Sequence, residues 1–322
     1  MTLAAETPAP ARAAPPLGAV AVVAALALAP LAFDAAGAGF WIVVLSRGLV
    51  YAVAAMALQL VLGRGGLVCF GFAAFLVIGA YAVGIPYHHR VEEGLVVLPL
   101  AMAAAALFAL ATGAIALRTR GVYFIMITLA FGQMVYYALT ALSTYGGDDG
   151  MTLWGRSQVA GFDLFRDRRA FYWLCLGAAA GTWALVRAVS RSHFGRVLEG
   201  ARQNEARMAA LGFDVFRVRL IAYALSGALG GLAGALLANH AEFVSPAYGS
   251  WHVSGELIVM VVLGGFASVT GAGFGAILLA VLEEVLSRLT SHWKILLGLG
   301  VVGVALLARD GLAGALARWR GR

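Results

Sequence analysis

The residues of this 322-residue chain best suited to chemistry are six histidines, two cysteines and one lysine, and their spacing argues against catalysis. His88, His89, His193, His240, His252 and His292 form no HExxH pair, no serine stands in a GxSxG elbow, and no two carboxylates are paired for acid–base work. His88-His89 beside Glu92-Glu93 could hold a metal ion, but adjacent residues on one short loop equally serve to face water, and no metal site is assigned. Cys69 and Cys175 lie in apolar runs without a CxxC or Cys/His partner, so neither a disulfide nor structural zinc is expected. Lys294 follows Ser291-His292-Trp293, so the chain holds no GxxxxGK[ST] phosphate loop, and any ATP chemistry belongs to another polypeptide. Gly271-Ala272-Gly273-Phe274-Gly275 has the look of a dinucleotide loop but follows no soluble strand.

With catalysis set aside, the elements that carry these residues become the question. The chain is 62% hydrophobic and only 12% charged, too few polar groups to cover a soluble globule, so its solvent is largely lipid. The formal charge of +7 comes from arginines scattered between apolar runs, which reads as a topology signal and not as a nucleic-acid surface. A helix needs ~20 apolar residues to cross the hydrocarbon layer. Runs free of Asp, Glu, Lys and Arg occupy 17–33, 48–63 (back to 40 if Arg47 is tolerated), 65–89, 94–117, 121–147, 170–186, 220–241, 257–282 and 295–308. Gly264-Gly265 and Thr270-Gly271-Ala272-Gly273 interrupt 257–282, and dividing that run in two gives about ten spans, some short or re-entrant. The fold class expected is therefore an all-α polytopic membrane protein with one cytoplasmic coupling-helix loop.

Charge orients it. With both termini cytoplasmic, fifteen of the 23 cationic residues lie inside, seven lie outside and Arg47 falls within a span, as the positive-inside rule requires. Residues 1–16 read as a disordered Pro/Ala-rich tail, 17–308 as one membrane domain and 309–322 as a basic cytoplasmic tail. Residues 1–33 also fit a cleavable signal peptide. The long polar loops are 143–169, outside, and the inner segment centred on 190–217. Within the latter, Ser192 to Phe213 reads as an amphipathic helix pair, with Val197, Leu198, Ala201, Met208, Ala209 and Leu211 on the apolar side and Arg196, Arg202, Glu205 and Arg207 on the polar one. An ordinary basic loop and a docking surface for a soluble motor both fit that pattern. Gly227xxxGly231 and Gly230xxxGly234 allow close helix approach, more naturally within the chain than between two copies.

Several segments between residues 60 and 290 resemble the membrane subunits of branched-chain amino acid ABC transporters, the LivH/LivM family and its LivM branch in particular. Gly66-Leu-Val-Cys69-Phe70-Gly71-Phe72-Ala73-Ala74-Phe75 is similar to the family's G-x-x-S-L-G-H-A-A-F, with Cys69, Phe70 and Phe72 as departures. Arg118-Thr-Arg120-Gly121-Val122-Tyr123-Phe124, continued by Thr128-Leu129-Ala130-Phe131-Gly132-Gln133, is similar to R-L-R-G-D-Y-F…T-L-G-F-G-E, with Val122 for Asp and Gln133 for Glu. Gly146-Gly147-Asp148-Asp149-Gly150 resembles T-G-G-x-D-G, and Ser192-His193-Phe194-Gly195-Arg196…Ala201-Arg202-Gln203-Asn204-Glu205…Leu211-Gly212 resembles S-x-F-G-R…A-I-R-E-N-E…L-G.

The resemblance implies an inner-membrane permease subunit that works with a LivH-like second permease, two cytoplasmic ATPases that hydrolyse ATP with Mg²⁺, and a periplasmic binding protein. This chain itself would bind no cofactor. It assigns Gly195, Arg196, Arg202, Asn204, Glu205, Leu211 and Gly212 to ATPase coupling, and Gly146, Gly147, Asp148 and Asp149 to docking of the binding protein. For the substrate path the candidates are polar groups that lipid would penalise, Gln59, Thr128, Gln133, Asn239 and Ser245, with the glycine bends at Gly71, Gly264 and Gly265. Each polar group could instead bond locally to backbone. The cargo expected is a branched-chain amino acid, with urea, short amides or aromatic acids as alternatives. An ion-coupled secondary transporter would need mid-membrane ionisable groups, and Arg47, Glu256, Glu283 and Glu284 are expected near span ends.

Overall fold

The computed structural model describes residues 25–31, 33, 37–91, 93–158, 167–266, 268–290 and 292–307, the side chains of 304–307 excepted. The expected tails 1–16 and 309–322 lie outside these residues, as do 17–24 of the first apolar run and 159–166 of the loop 143–169. Eleven helices follow in order: α1 Phe40–Gln59, α2 Ala73–His88, α3 Gly94–Ala116, α4 Val122–Thr140, α5 Arg168–Arg191, α6 His193–Gln203, α7 Glu205–Ala210, α8 Val215–Ala241, α9 Trp251–Gly264, α10 Val269–Leu289 and α11 Trp293–Leu307. Residues 25–31 are helical as well, and the Leu26 carbonyl accepts the Tyr172 hydroxyl at 2.6 Å. The only strands among the described residues are β1 Met151–Thr152 and β2 Phe243–Val244, an antiparallel ribbon pairing Met151 with Val244 and Thr152 with Phe243. The all-α expectation holds apart from that ribbon.

Six helices are long and apolar enough to cross a membrane: α1 with its extension to Arg64, α3, α4, α5, α8 and α10. α2, α9 and α11 are apolar but shorter. Two apolar runs are cut where glycine adopts backbone that other residues avoid. The run 65–89 becomes helical only at Ala73, because α1 closes in a π-helical turn at Leu60–Arg64 and Gly66 turns the chain with φ +69°. The run 257–282 breaks at Gly265, φ +105°, after which the Ser268 hydroxyl caps α10 by accepting the Gly271 amide at 3.1 Å. Thr270–Gly273, expected to break the run a second time, instead forms the first turn of α10. Its small residues lie under α9, where a Cβ on Gly264 would collide with the Gly271 carbonyl.

The core is built on α1 and α8, each 72% buried over its membrane-length window. α10 and α5 pack on α1, while α3 and α2 pack on α8. The two small-residue motifs of α8 serve different neighbours within the chain. Gly227 and Gly231 meet Ala105 and Ala109 of α3, and Gly230 and Gly234 meet Phe75 and Leu76 of α2. α4 is peripheral, 17% buried.

Candidate functional site

The segment 192–213 forms the helix pair α6–α7 at the end of the bundle where α1 finishes. The Ser192 hydroxyl caps α6 by accepting the Gly195 amide at 3.3 Å, and the Asn204 carboxamide caps α7 by accepting the Arg207 amide at 2.9 Å. Gly195 has no room for a side chain, since a Cβ there would meet the Val189 and Ser190 carbonyls at the end of α5. Val197, Leu198 and Ala201 are buried, so α6 lays its apolar stripe on its own chain. α7 does the opposite. Leu211 is 65% exposed, Ala209 is exposed, and only Met208, packed over Gly200, turns inward. Gly212, φ +86°, ends the pair in left-handed backbone, and Phe213 beyond it is 45% exposed.

Of the polar side, Arg196 stays outside, donating to the Arg191 carbonyl at 3.2 Å. Arg202 is exposed as expected and Glu205 is half-buried, and both are also tied to the chain's own elements. The Arg202 guanidinium donates to the Gly63 carbonyl in the π-helical turn, and its stem covers Gly66. Glu205 accepts from Arg120 at 3.0 Å and from Arg219 at 2.9 Å. Glu199 adds an ion pair with Arg64 at 2.7 Å. The physical reason is that guanidinium groups close to backbone carbonyls and carboxylates at a helix end find fixed partners there before solvent. Sequence reasoning counted Arg64 only as a topology signal, quoted Arg120 within a family-like motif without a partner, and did not single out Glu199, Arg219 or Phe213. The sequence distances involved, up to 139 residues for Arg202 to Gly63, leave no local pattern to detect.

The π-helical turn joins that end to the second glycine break. Gln59, fully buried, donates from Nε2 to the Phe266 carbonyl at 3.0 Å, and Gly63 lies against the same carbonyl. Gly265 directly precedes Phe266 in the chain, so this bond ties Gln59 to the second break. The Gln59 Oε1 atom has no hydrogen bond among the described residues. Gly71 and Thr128 form a second contact, in which a Cβ on Gly71 would strike the Thr128 carbonyl while the Thr128 hydroxyl donates to Ile125 O at 3.0 Å. Gln133 lies half-buried on α4, whose outward residues include Tyr123, Met126, Met134 and Tyr137. Asn239 and Ser245 sit at the opposite end of the bundle and use their polar groups locally. The Asn239 carboxamide accepts the Ser157 amide at 2.8 Å and donates to Ala235 O at 2.9 Å, and the Ser245 hydroxyl accepts the Ala247 amide at 3.2 Å.

That opposite end holds the segment 143–158. Gly146, Gly147 and Gly150 all take positive φ, building a tight turn that leaves Asp148 and Asp149 exposed. The turn is anchored by the β1–β2 ribbon, by Leu153 N to Glu242 O at 2.9 Å, and by Arg156, which pairs with Glu242 at 3.1 Å and lies over the Phe171 ring at 4.7 Å. His88 and His89 pack edge-on against Tyr145 beside it. Three of the ionisable residues expected near span ends lie within about two turns of one: Glu284 pairs with Arg288 at 3.0 Å, and its neighbour Glu283 pairs with Arg47 at 3.5 Å.

Comparison with known proteins places this sequence among transport permeases. The family model described as branched-chain amino acid transport system / permease component matches residues 40–308. The chain is 31% identical over 291 residues to the high-affinity branched-chain amino acid transport system permease protein LivM of Escherichia coli (strain K12), covering 80% of this chain and 68% of that protein. It is also 36% identical over 156 residues to the autoinducer 2 import system permease protein LsrC of Klebsiella pneumoniae, covering 45% of this chain and 44% of that one. A probable branched-chain amino acid transport permease protein LivH of Methanocaldococcus jannaschii is 31% identical over 97 residues, 30% of each chain. No solved structure matches the chain.

Proposed function

The chain belongs to the family of branched-chain amino acid transport system permease components, and from that premise we propose that it forms half of the translocation path of an ATP-driven importer for branched-chain amino acids. A second permease of the same family supplies the other half. Two separate ATPase subunits dock on the α6–α7 end, which faces the cytoplasm, and a periplasmic binding protein docks on the turn at Gly146, Gly147, Asp148 and Asp149. Both termini are cytoplasmic.

The observation that carries this reading is the fastening of α6 to the π-helical turn of α1 through Arg202 and through the Arg64–Glu199 pair. A motor pushing on α7 meets Leu211 and Phe213, and the displacement passes through α6 to Gly63 and Gly66. It continues through Gln59 to the break at Gly265. Irregular backbone within a membrane survives only where protein or water covers it, so these two breaks are the places where a path opens and closes. α4 forms the wall of the path toward the second permease. Its outward tyrosines, methionines and Gln133 differ from the outward Leu95, Val96, Leu100, Leu107 and Ile115 of α3, which suit lipid.

The test is co-purification of the chain with the products of its neighbouring genes, followed by ATP-dependent uptake of labelled leucine, isoleucine, valine and urea in vesicles. Leucine-type uptake that needs ATP and a soluble binding protein supports the reading down to its cargo. Uptake of urea alone keeps the machine and changes the cargo, a second reading to which the similarity with permeases named for autoinducer 2 import lends weight. Transport by the isolated chain without an ATPase overturns the assignment.

A further inference from the structure

Helix α5 carries one stripe, Leu176, Ala180, Trp183, Arg187 and Arg191, whose spacing of three or four residues sets them on the same side of the helix. Its first three residues line a groove between α5, α1 and α10, against Leu49 and Met56 of α1 and Phe274 and Ile277 of α10. The groove holds about 510 Å³, including the part that opens at the surface, which is within the ~300–1,000 Å³ of small-molecule sites. Phe274, 47% exposed, marks the open side. The one hydroxyl among its described lining residues, that of Thr270, accepts the Trp183 indole N–H at 2.9 Å. A polar or zwitterionic molecule would find no charge in this lining and its indole donor already engaged, so the groove suits hydrocarbon.

The end of the stripe is cationic. The Arg187 guanidinium lies over the Trp183 ring at 4.9 Å, which puts it at the edge of the groove. Arg191 follows one turn later, exposed at the end of α5, and Arg196 reaches its carbonyl at 3.2 Å. Among the described residues neither Arg187 nor Arg191 pairs with a carboxylate, whereas Arg64, Arg120 and Arg219 at the same end of the bundle all do. Helix α4, proposed above as the wall toward the second permease, packs on α2 and α3 and so leaves the groove on another side of the bundle. Basic residues at the mouth of a groove between membrane helices are the complement of an acidic headgroup, and the apolar lining is the complement of its tail. We propose that the groove between α1, α5 and α10 binds an anionic phospholipid, with an acyl chain against Met56, Trp183 and Phe274 and the headgroup phosphate held by Arg187 and Arg191. The site belongs to this chain whatever its cargo; only its assignment to the cytoplasmic leaflet rests on the orientation proposed above.

The test is native mass spectrometry of the assembled transporter in detergent, titrated in parallel with dioleoyl phosphatidylglycerol and dioleoyl phosphatidylcholine, which share acyl chains and differ in net charge. The first phosphatidylglycerol is expected to bind roughly tenfold or more tightly than phosphatidylcholine, the worth of two arginines beside an anionic headgroup. The double variant Arg187→Gln/Arg191→Gln should reduce phosphatidylglycerol to the affinity of phosphatidylcholine. Ala180→Phe, which fills the groove, should weaken both lipids. Equal binding of the two lipids by the wild type, or a preference that survives the double variant, overturns the site. Displacement of the lipid by excess inorganic phosphate would show a headgroup site without a seat for the chain and overturns it too. So does a wild type that takes neither lipid because residues 17–24 or the second permease hold the groove. Should Ala180→Phe fail to assemble, the double variant still decides, since among the described residues neither guanidinium bonds to another element.

Discussion

Compared helix by helix, residues 40–140 and 215–307 follow one plan. Each begins with a long central helix, α1 or α8, continues through a short one, α2 or α9, and then a long one, α3 or α10, and closes with a peripheral helix, α4 or α11. The third helix of each half packs on the first helix of the other, α3 on α8 and α10 on α1. The halves differ in the link between their long and short helices. In the first half the link is 60–72, tied to α6 by Arg202 and Arg64 and to the 264–268 break by Gln59. In the second half it is 242–250, tied to 151–157 by the β1–β2 ribbon and by Asn239. Side-chain charges fasten the first link to α6, whose neighbour α7 leads to the outward Leu211 and Phe213, whereas the second is fastened to the segment of the exposed glycine turn by a backbone ribbon together with the Arg156–Glu242 pair. The first is arranged to receive a push from a partner, the second to hold a loop in shape. The glycine-rich segments 63–71 and 264–275 fall in roughly corresponding stretches of the two halves, but the order of elements separates them. One precedes its short helix and the other follows it, and they meet in space at Gln59 and Phe266.

The difference between the links can be broken. The largest effect is expected from Arg202→Glu combined with Glu205→Arg, which places an arginine against Arg120 and Arg219 and removes the donor to Gly63. ATP-dependent uptake should vanish while the amount of protein in the membrane is unchanged, and normal uptake would remove α6 from its role. Gly71→Leu comes next, because the side chain must displace the Thr128 carbonyl. A loss of ~3 kcal/mol is expected from such overpacking, read as a lowered Tm in detergent, whereas Gly255→Ala, with open space around it, should leave Tm unchanged. Leu211→Asp tests the outward face of α7. It should weaken association with the ATPase about tenfold at unaltered Tm, a loss typical of a central apolar contact.

On the second link, Asn239→Ala leaves the buried Ser157 amide without its acceptor, at a cost of roughly 1–3 kcal/mol. Hydrogen exchange at 151–158 should accelerate while the α6–α7 segment stays as protected as before. Acceleration at both ends would erase the contrast between the links. The smallest functional effect is expected at Asp148→Cys, exposed on its turn. It should react with an impermeant thiol reagent from the outside with uptake little changed, and labelling only after the membrane is opened would invert the topology.

Legibility in the sequence followed the range of the interaction. The helical, largely apolar character of the chain, the helix pair 192–213, the break at Gly264-Gly265 and the close packing of the α8 glycines could be read, since each is a pattern over neighbouring residues, while six of the about ten expected spans form helices of membrane length among the described residues. The helix start at Ala73 was hidden because 65–72 is as apolar as the helix it precedes, and only the π-helical turn and Gly66 disclose it. Arg202 and Glu205 were legible as charged residues of an amphipathic helix but not as anchors, because their partners lie elsewhere in the chain. Asn239 and Gln59 looked alike as polar residues in apolar runs, yet one pins a loop and the other joins two breaks.

What the sequence determined by itself is the solvent and the segmentation. Hydrocarbon tolerates no unpaired backbone, so apolar runs of sufficient length become helices wherever they later pack, and glycines mark where they stop. What only the tertiary structure decided is which helices became central, which polar groups were paired, and that Arg47 alone opens outward from the buried stretch of α1. Those outcomes depend on surfaces that meet across more than a hundred residues of chain, and no local pattern encodes which partner a guanidinium or a carboxamide will find.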